Sequence, residues 1–505
     1  MLSKILEERS LIKRVEEIRE SYPQKKIVLC HGVFDLVHPG HLNHFKQARS
    51  LGDILIVSIT SDRFVNKGPS RPFFSQDHRA EFLSSLEIVD YVVISDSVSS
   101  KEIIERLKPE VYVKGEEYEQ FDKDETGKIL EEKQVVESVG GVIEFTRGFR
   151  SSSTHLINRS ILLGNSEKSK WISELRSRFS IDEIVSHLEN IKNINPIILG
   201  ESILDVYTDC TPLGKASKYP LLAFHKGETR NFPGGSSLIA NVCASLSGQS
   251  ELILVLPETA REAEDIFCNV GPGIKPIVIY DHSSQVIKKQ RFIDLSSGSR
   301  VFEIYDYNPQ YFQEETYEKI ENAVKGSNRP VIIADYGHSF FNSRLIAHLE
   351  NLNSFIAVNT QMNAGNRGFN TISKYGRADF ISLNGGELEL EFKTKELDYP
   401  RVLPIIMDKM KSSFAVVTLG SKGLLVFDDS GNYSYTPGLA DKVIDKVGAG
   451  DAVFAVASML AFQNAPIEII GLVASICAAQ EVSSLGHKSA LNLVDLKRYI
   501  KGLLG

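Results

Sequence analysis

The 505-residue chain is 42% apolar and 24% charged, ordinary for folded protein and too long for one hydrophobic core, so two or three domains are expected. Its net charge of −8, with no dense basic block, argues against a nucleic-acid partner held by phosphate contacts, although Lys67, Arg71 and Arg79 form a local cluster able to meet an anionic nucleotide. Cys30, Cys210, Cys243, Cys268 and Cys477 are scattered and lack CxxC spacing, so they read as buried thiols, not a zinc site or a disulfide frame. No stretch reaches roughly eighteen uninterrupted apolar residues, and the charged N-terminus is unlike a signal peptide, so a cytoplasmic protein with no membrane partner is expected.

In chain order, residues 3–20 have helical spacing, and Ile27 to Cys30 reads as a short buried strand. A helix is expected from Pro39, strands at 53–59 and 91–94, helices at 79–86 and 102–107, and further strands at 111–113 and 141–145. This alternation predicts an α/β domain over 1–160 with an open, mostly parallel, doubly wound sheet, whose ligands sit outside the carboxyl ends of the strands. Residues 161–195 turn charged and helical and read as a connector. A second alternating run over 196–505 predicts another doubly wound α/β domain, with a small β-layer from the turn-rich stretches 206–232 and 286–305.

Two segments carry the chemistry. His38-Pro-Gly-His41 puts two imidazoles three residues apart at a helix start, where Pro39 suits the first turn. Unpaired backbone N–H groups and the helix dipole favour a polyphosphate there, and imidazole donors would stabilise charge on an α-phosphorus under attack. A capped helix with two incidental surface histidines fits the four residues equally well. Gly448-Ala449-Gly450-Asp451 opens a long apolar helix, so that a carboxylate and several amides meet an anion at one point. Asp451 would accept a proton from an attacking hydroxyl while the amides hold the transferring oxygens. A Gly-rich helix start with an Asp cap is the plainer reading. No GxxxxGK[ST] run is present, so a P-loop kinase is not supported.

The wider context resolves both. The run from His31 to Asp62, with Lys67-Gly68, Arg71-Pro72, Arg79, Val89-Asp90, Pro109 to Tyr118 and Ser152-Ser153-Thr154, resembles the cytidylyltransferase-like nucleotidyltransferase family. It is similar in particular to the adenylyltransferase half of the bifunctional heptose 7-phosphate kinase/heptose 1-phosphate adenylyltransferases. The resemblance implies that His38 and His41 bind and polarise a triphosphate, with Val33 and Phe34 beside the nucleotide. It further implies that Lys67 neutralises developing charge and that Ser152, Ser153 and Thr154 hold the outer phosphates. Asp35 and Lys114 would lie near the acceptor, a turn carboxylate capping amides being the other role open to Asp35. Arg79 is either part of the site or a solvated helix charge. His31 departs from the family, which has a small polar residue there.

Phe232-Pro-Gly-Gly235-Ser-Ser-Leu-Ile-Ala-Asn241, Gly200 to Asp205, Asn384-Gly-Gly-Glu387, Thr418 to Gly423 and the GAGD segment resemble, in order, motifs of the ribokinase-like (PfkB) carbohydrate kinases. The resemblance implies that Asp451 is the base, with Gly448, Ala449 and Gly450 around the anion hole and Gly420 and Gly423 in an adenine-nucleotide loop. Asp205, Gly234, Gly235 and Asn241 would hold the sugar, and Asn384 and Glu387 would organise Mg²⁺ through water. Asp335 would assist the metal or cap a strand end. Lys288 to Arg291 and Arg300 read either as contacts to a phosphate on the sugar or, more simply, as a solvated charge run. Lys446-Val447 and Glu201 depart from the family.

Together these imply a bifunctional enzyme of nucleotide-sugar synthesis, with ATP and Mg²⁺ in the kinase, ATP or CTP in the transferase, and an ADP-heptose-like product. The alternatives are a CTP-dependent enzyme for another sugar or polyol phosphate, and a nucleotide-binding scaffold with one or both halves inactive. The domain order is the reverse of the heptose enzyme's. Lids of this kinase family often pair two subunits, so a homodimer is a further expectation.

Overall fold

Short β-branched runs alternating with amphipathic helices can only bury their apolar surface as a layered α/β structure, and the chain does this twice. The computed structural model describes residues 4–65, 72–97, 99–116, 128–147, 166–257, 266, 270–326, 328–366, 368–483 and 492–504. It divides into one unit of Met1–Ser169 with Val494–Gly505 and another of Lys170–Leu493.

The first unit runs α1 (Glu8–Ser21), β1 (Ile27–Gly32), α2 (Pro39–Ser50), β2 (Ile54–Thr60), α3 (Gln76–Ser84), β3 (Tyr91–Ser95), α4 (Lys101–Leu107), β4 (Val111–Gly115), α5 (Lys128–Ser138) and β5 (Val142–Thr146). The strands are all parallel in the order β3-β2-β1-β4-β5. Strand order therefore reverses between β1 and β4, and a crevice opens there at the carboxyl ends. The predicted first helix begins later than its spacing indicated. Leu6 N–H donates to Val92 O, and Val92 N–H to Lys4 O, so residues 4–6 extend the sheet edge beside β3 instead.

The second unit includes most of α6 (Ser166–Arg178) and all of α7 (Ile181–Ile191), which is capped by the Ser180 hydroxyl and buries Ile184, Leu188 and Ile191. It continues as β6 (Ile197–Gly200), β7 (Ser202–Lys215), β8 (Leu222–Gly235), α8 (Ser236–Ser247), β9 (Ser250–Leu256), β10 (Ile274–Tyr280), β11 (Ile287–Asp294) and β12 (Arg300–Asp306). Then come α9 (Glu314–Val324), β13 (Val331–Asp335), α10 (Ser343–Glu350), β14 (Ile356–Thr360), β15 (Phe380–Asn384), α11 (Gly385–Phe392) and α12 (Tyr399–Met410). The last elements of this unit are β16 (Phe414–Thr418), β17 (Leu424–Asp428), β18 (Tyr433–Thr436), α13 (Ala449–Phe462) and α14 (Ile467–Glu481), while the final helix, α15 (Leu493–Leu504), belongs from Val494 on to the first unit. A nine-stranded sheet, β10-β9-β6-β13-β14-β15-β16-β17-β18, is parallel up to β16, after which the last two strands are antiparallel. The β-layer anticipated from the turn-rich stretches is a separate four-stranded sheet, β12-β11-β7-β8. Helices α13 and α14 are apolar almost all round because they are buried almost all round.

Among the described residues no helix is long and apolar enough to cross a membrane. Cys30, Cys210, Cys243 and Cys477 are buried free thiols, and Cys268 lies outside the described residues.

Candidate active sites

In the first unit, β1 delivers the chain to the crevice and α2 begins beside it. His38 is the N-cap of α2, and its Nδ1 accepts the Gly40 N–H at 3.1 Å. His41 Nδ1 accepts the His38 N–H at 3.4 Å, which completes a reciprocal capping box, and the two rings lie 4.0 Å apart. Burial lowers the pKa of His38. A neutral ring accepting at Nδ1 carries its proton on Nε2, so the capping bonds select the Nε2–H tautomer. Phe34 takes a left-handed φ of +48°, unusual for a bulky residue, and lodges its ring against His41 and Phe45. Val33 offers its carbonyl to Arg79 Nη1 at 2.5 Å.

Arg79 is not a solvated helix charge. It is 2% exposed, and it also donates to Phe74 O, Thr60 O and Asp62 Oδ1, tying the ends of β1 and β2 to the segment before α3. Asp35 accepts the Phe73 and Phe74 N–H groups at 2.8 and 2.9 Å, so of its two open roles the contacts support the capping one. Lys114, on β4 beyond the Cys30–Val113 register pair, lies 2.9 Å from Glu132. Burial works against ionising Glu132, but Lys114 and the Ser100 hydroxyl hold its carboxyl below the ordinary value. Motif reading passed over Glu132, whose only signal was a carboxylate at helical spacing on an otherwise polar stretch. The departing His31 sits between two hydroxyls, Ser58 Oγ at 3.1 Å and Thr60 Oγ1 at 3.4 Å. Lys67, Arg71, Ser152, Ser153 and Thr154 lie outside the described residues.

In the second unit, β7 and β8 lead into the lid sheet and back. Gly235, at φ +59°, ends β8, and a Cβ there would stand 2.4 Å from Glu201 O. A Cβ on Gly234 would stand 2.3 Å from Asp205 Oδ2, so glycine is required at both positions. Asp205 is buried and ion-paired with Arg291. Asn241 Oδ1 accepts the Gly271 N–H at 2.8 Å. Reading Lys288 to Arg291 as a solvated run needs correction. Strand β11 is interior to the lid sheet and alternates buried and partly buried positions, which places Lys289 and Arg291 inside at 6% and 5% exposure.

Asp451 lies in the first turn of α13, after Gly448 at φ +83°, and is 8% exposed. Its N-cap residue, Gly448, contributes no side-chain cap. Its Ala449, Gly450 and Asp451 amides belong to the first turn, where backbone N–H groups have no intrahelical partner, and a Cβ on Gly450 would meet nothing within 4 Å. Tyr336, just past the end of β13, donates its hydroxyl to Asp451 Oδ1 at 2.7 Å. Gly420, at φ +61°, and Gly423, whose Cβ would meet Thr436 O at 2.0 Å, frame a turn between β16 and β17.

Asn384 caps α11 by accepting the Glu387 N–H at 2.9 Å, while Glu387 accepts the Asn384 and Met362 N–H groups at 2.8 and 3.1 Å. Burial pushes the Glu387 carboxyl up to about 7, and the charge of Asp451 adds to this. A hydrated Mg²⁺ fits here, because a cation would relieve both carboxylates and this ion binds through few protein ligands. Asp335 is fully engaged by Tyr375 Oη, Asn370 Nδ2, Gly337 N and Lys374, as a strand-end cap. Burial and the charge of Asp335 push Glu201 up to about 7, and it accepts the Tyr336 and His338 N–H groups. Asp445 anchors Tyr207 and Arg300. In the second unit Tyr336 was missed by sequence reading, its signal being its place directly after Asp335.

Comparison with known proteins matches a segment in each half of the chain. Residues 29–159 match the cytidylyltransferase-like family and residues 369–492 the pfkB family carbohydrate kinases. The bifunctional protein HldE of Campylobacter concisus is 41% identical over 150 residues, 29% of this chain and 30% of that protein. HldE of Aliarcobacter butzleri is 44% identical over 140 residues, 26% and 29% of the two chains. The matched part thus spans less than a third of these relatives' length. A crystal structure of phosphofructokinase-2 from Escherichia coli covers 61% of this chain and 99% of its own, with a TM-score of 0.50 at 17% identity, a likeness of fold. The chain therefore carries a cytidylyltransferase-like match over 29–159 ahead of a pfkB carbohydrate kinase match over 369–492, the reverse of a kinase-first layout.

Proposed function

We propose that the chain is a bifunctional enzyme of nucleotide-sugar synthesis, with an ADP-heptose-like product. The observation that carries this reading is the pairing of two anion-ready helix starts, α2 with its histidine cap and α13 with Asp451, on one polypeptide. In the second unit the sugar hydroxyl gives its proton to Asp451 as its oxygen bonds to the γ-phosphorus of ATP. The bond from that phosphorus to the bridging oxygen breaks and ADP leaves. Asn384 and Glu387 would hold Mg²⁺ through water, and the ion supplies charge neutralisation to the phosphates. Asp205 and the close-packed Gly234-Gly235 turn form the sugar floor.

In the first unit a sugar phosphate oxygen attacks the α-phosphorus of ATP, and the α–β bridge breaks to release pyrophosphate. His38 and His41 donate from Nε2 to the phosphate oxygens as charge builds there. Lys114 lies at the β1/β4 crevice for the acceptor. The outer face of the lid sheet, where Leu222, Val301 and Phe302 are 70%, 40% and 42% exposed, supports a homodimer in which two lids cover each other.

A screen of sugar 1-phosphates against ATP and CTP, read as pyrophosphate release, tests the transferase. ADP release from MgATP with heptose 7-phosphate tests the kinase. Turnover with heptose phosphates and ATP is expected. Selective use of CTP would move the reading to another nucleotide, and nucleotide binding without either product would make the chain a scaffold.

A further inference from the structure

The proposed kinase reaction assigns Asp451 a proton but leaves unexplained how its carboxylate is aimed. Asp451 sits in the first turn of α13, whose N-cap residue, Gly448 at φ +83°, has no side chain with which to hold it. The structure assigns that task to Tyr336: building on the kinase reading, we propose that Tyr336 is a positioning residue whose hydroxyl fixes the Asp451 carboxylate for proton transfer.

Three features support this. The Tyr336 hydroxyl donates to Asp451 Oδ1 at 2.7 Å, across 115 residues of sequence, and the tyrosine is 1% exposed. A buried hydrogen bond to a carboxylate is among the stronger ones available to a protein. Burial, and then the charge of Asp451, keep the phenol protonated, so it acts as the donor.

The ring is itself held. Tyr336 N–H donates to Glu201 at 2.9 Å, and Asn363 Nδ2 donates to the Tyr336 carbonyl at 2.6 Å. Lys289, buried in the lid sheet, places its ammonium 5.7 Å from the Tyr336 ring centroid and 5.3 Å from that of Tyr305. Tyr336 therefore joins the end of β13, the lid strand β11 and the start of α13. The same contacts give Glu201 a purpose: it anchors the backbone from which Tyr336 reaches the base.

The test is the single-turnover rate of phosphoryl transfer from MgATP to heptose 7-phosphate by the full chain, in wild type, Tyr336→Phe, Asp451→Asn and the double variant. Tyr336→Phe is expected to slow transfer about tenfold to a hundredfold, with the KM for both substrates unchanged. In the Asp451→Asn background the same change should slow transfer no further, because the group it positions is gone. Equal slowing in both backgrounds, or a raised KM at an unchanged rate, would overturn the proposal and make Tyr336 a sugar contact. A wild-type rate in Asp451→Asn would instead remove the base assignment itself, and no transfer by wild type would remove both. Should Tyr336→Phe fail to fold, 3-fluorotyrosine at position 336 keeps the ring and alters the donor. A changed transfer rate at constant KM supports the proposal, and an unchanged rate counts against it.

Discussion

At the start of α2 the two histidines cap the helix they belong to, whereas at the start of α13 the helix is uncapped and Asp451 is held from the end of a distant strand. The first site's geometry is local, made by bonds that close within four residues. The second is assembled across 115 residues and depends on the whole sheet being in register. Nature's cap at α11, Asn384 with Glu387, resembles the first kind although it lies in the second unit. A helix start can thus be tuned for phosphate by its own side chains or from outside, and the outside support is not visible in a short motif.

This contrast can be broken in graded ways. Arg79 is a long-range support of the first site, so Arg79→Met, which takes their donor from three carbonyls and from Asp62, should destabilise that unit by about 2–4 kcal/mol in chemical denaturation. A loss below about 1 kcal/mol would mean that the cap alone holds the site together. Gly235→Ala forces a Cβ into Glu201 O at φ +59° and should lower stability of the second unit by roughly 1–3 kcal/mol, with kinase activity lost while pyrophosphate release persists.

Buried histidines give each unit an acid response. Burial, with Lys114, pushes His44 down to about 4, and burial, with Lys289, does the same to His338, from an ordinary 6.5. Both are neutral in the fold, while the unfolded chain takes up their protons below 6.5, so the stability they give is complete above that pH. It is lost as pH falls toward 4, by about 2 kcal/mol each at pH 5. Melting curves from pH 7 to 4 should show this in both units, with His44→Gln flattening the first alone. The smallest effect is at the caps. Asn384→Ala should lower stability by only about 1 kcal/mol, and a drop of several would show that this local cap supports more than its own helix start.

Much of the fold was legible because its strands are short β-branched runs and its helices amphipathic, patterns that depend only on near neighbours. The late start of α1 was not, since an edge pairing with Val92 overrode a helical spacing. His38, His41, Asn384 and Glu387 were found as motifs, and their capping bonds explain why those residue types stand three apart. Burial of Arg79, Lys289 and Arg291 was hidden, because a charge looks solvated in sequence until the partners that satisfy it are known. Tyr336 was hidden for the same reason: what it touches is set by strand order, not by spacing.

The central claim is that two separate phosphate chemistries share this chain, one at each helix start. The direct measurement is pyrophosphate release (ATP with heptose 1-phosphate) and ADP release (MgATP with heptose 7-phosphate), made side by side on wild type, His41→Ala and Asp451→Asn. The account predicts that His41→Ala lowers pyrophosphate release about 10²- to 10³-fold and spares ADP release, and that Asp451→Asn lowers ADP release about 10²- to 10⁴-fold and spares pyrophosphate release. Loss of both activities in either variant, or of neither, would contradict it.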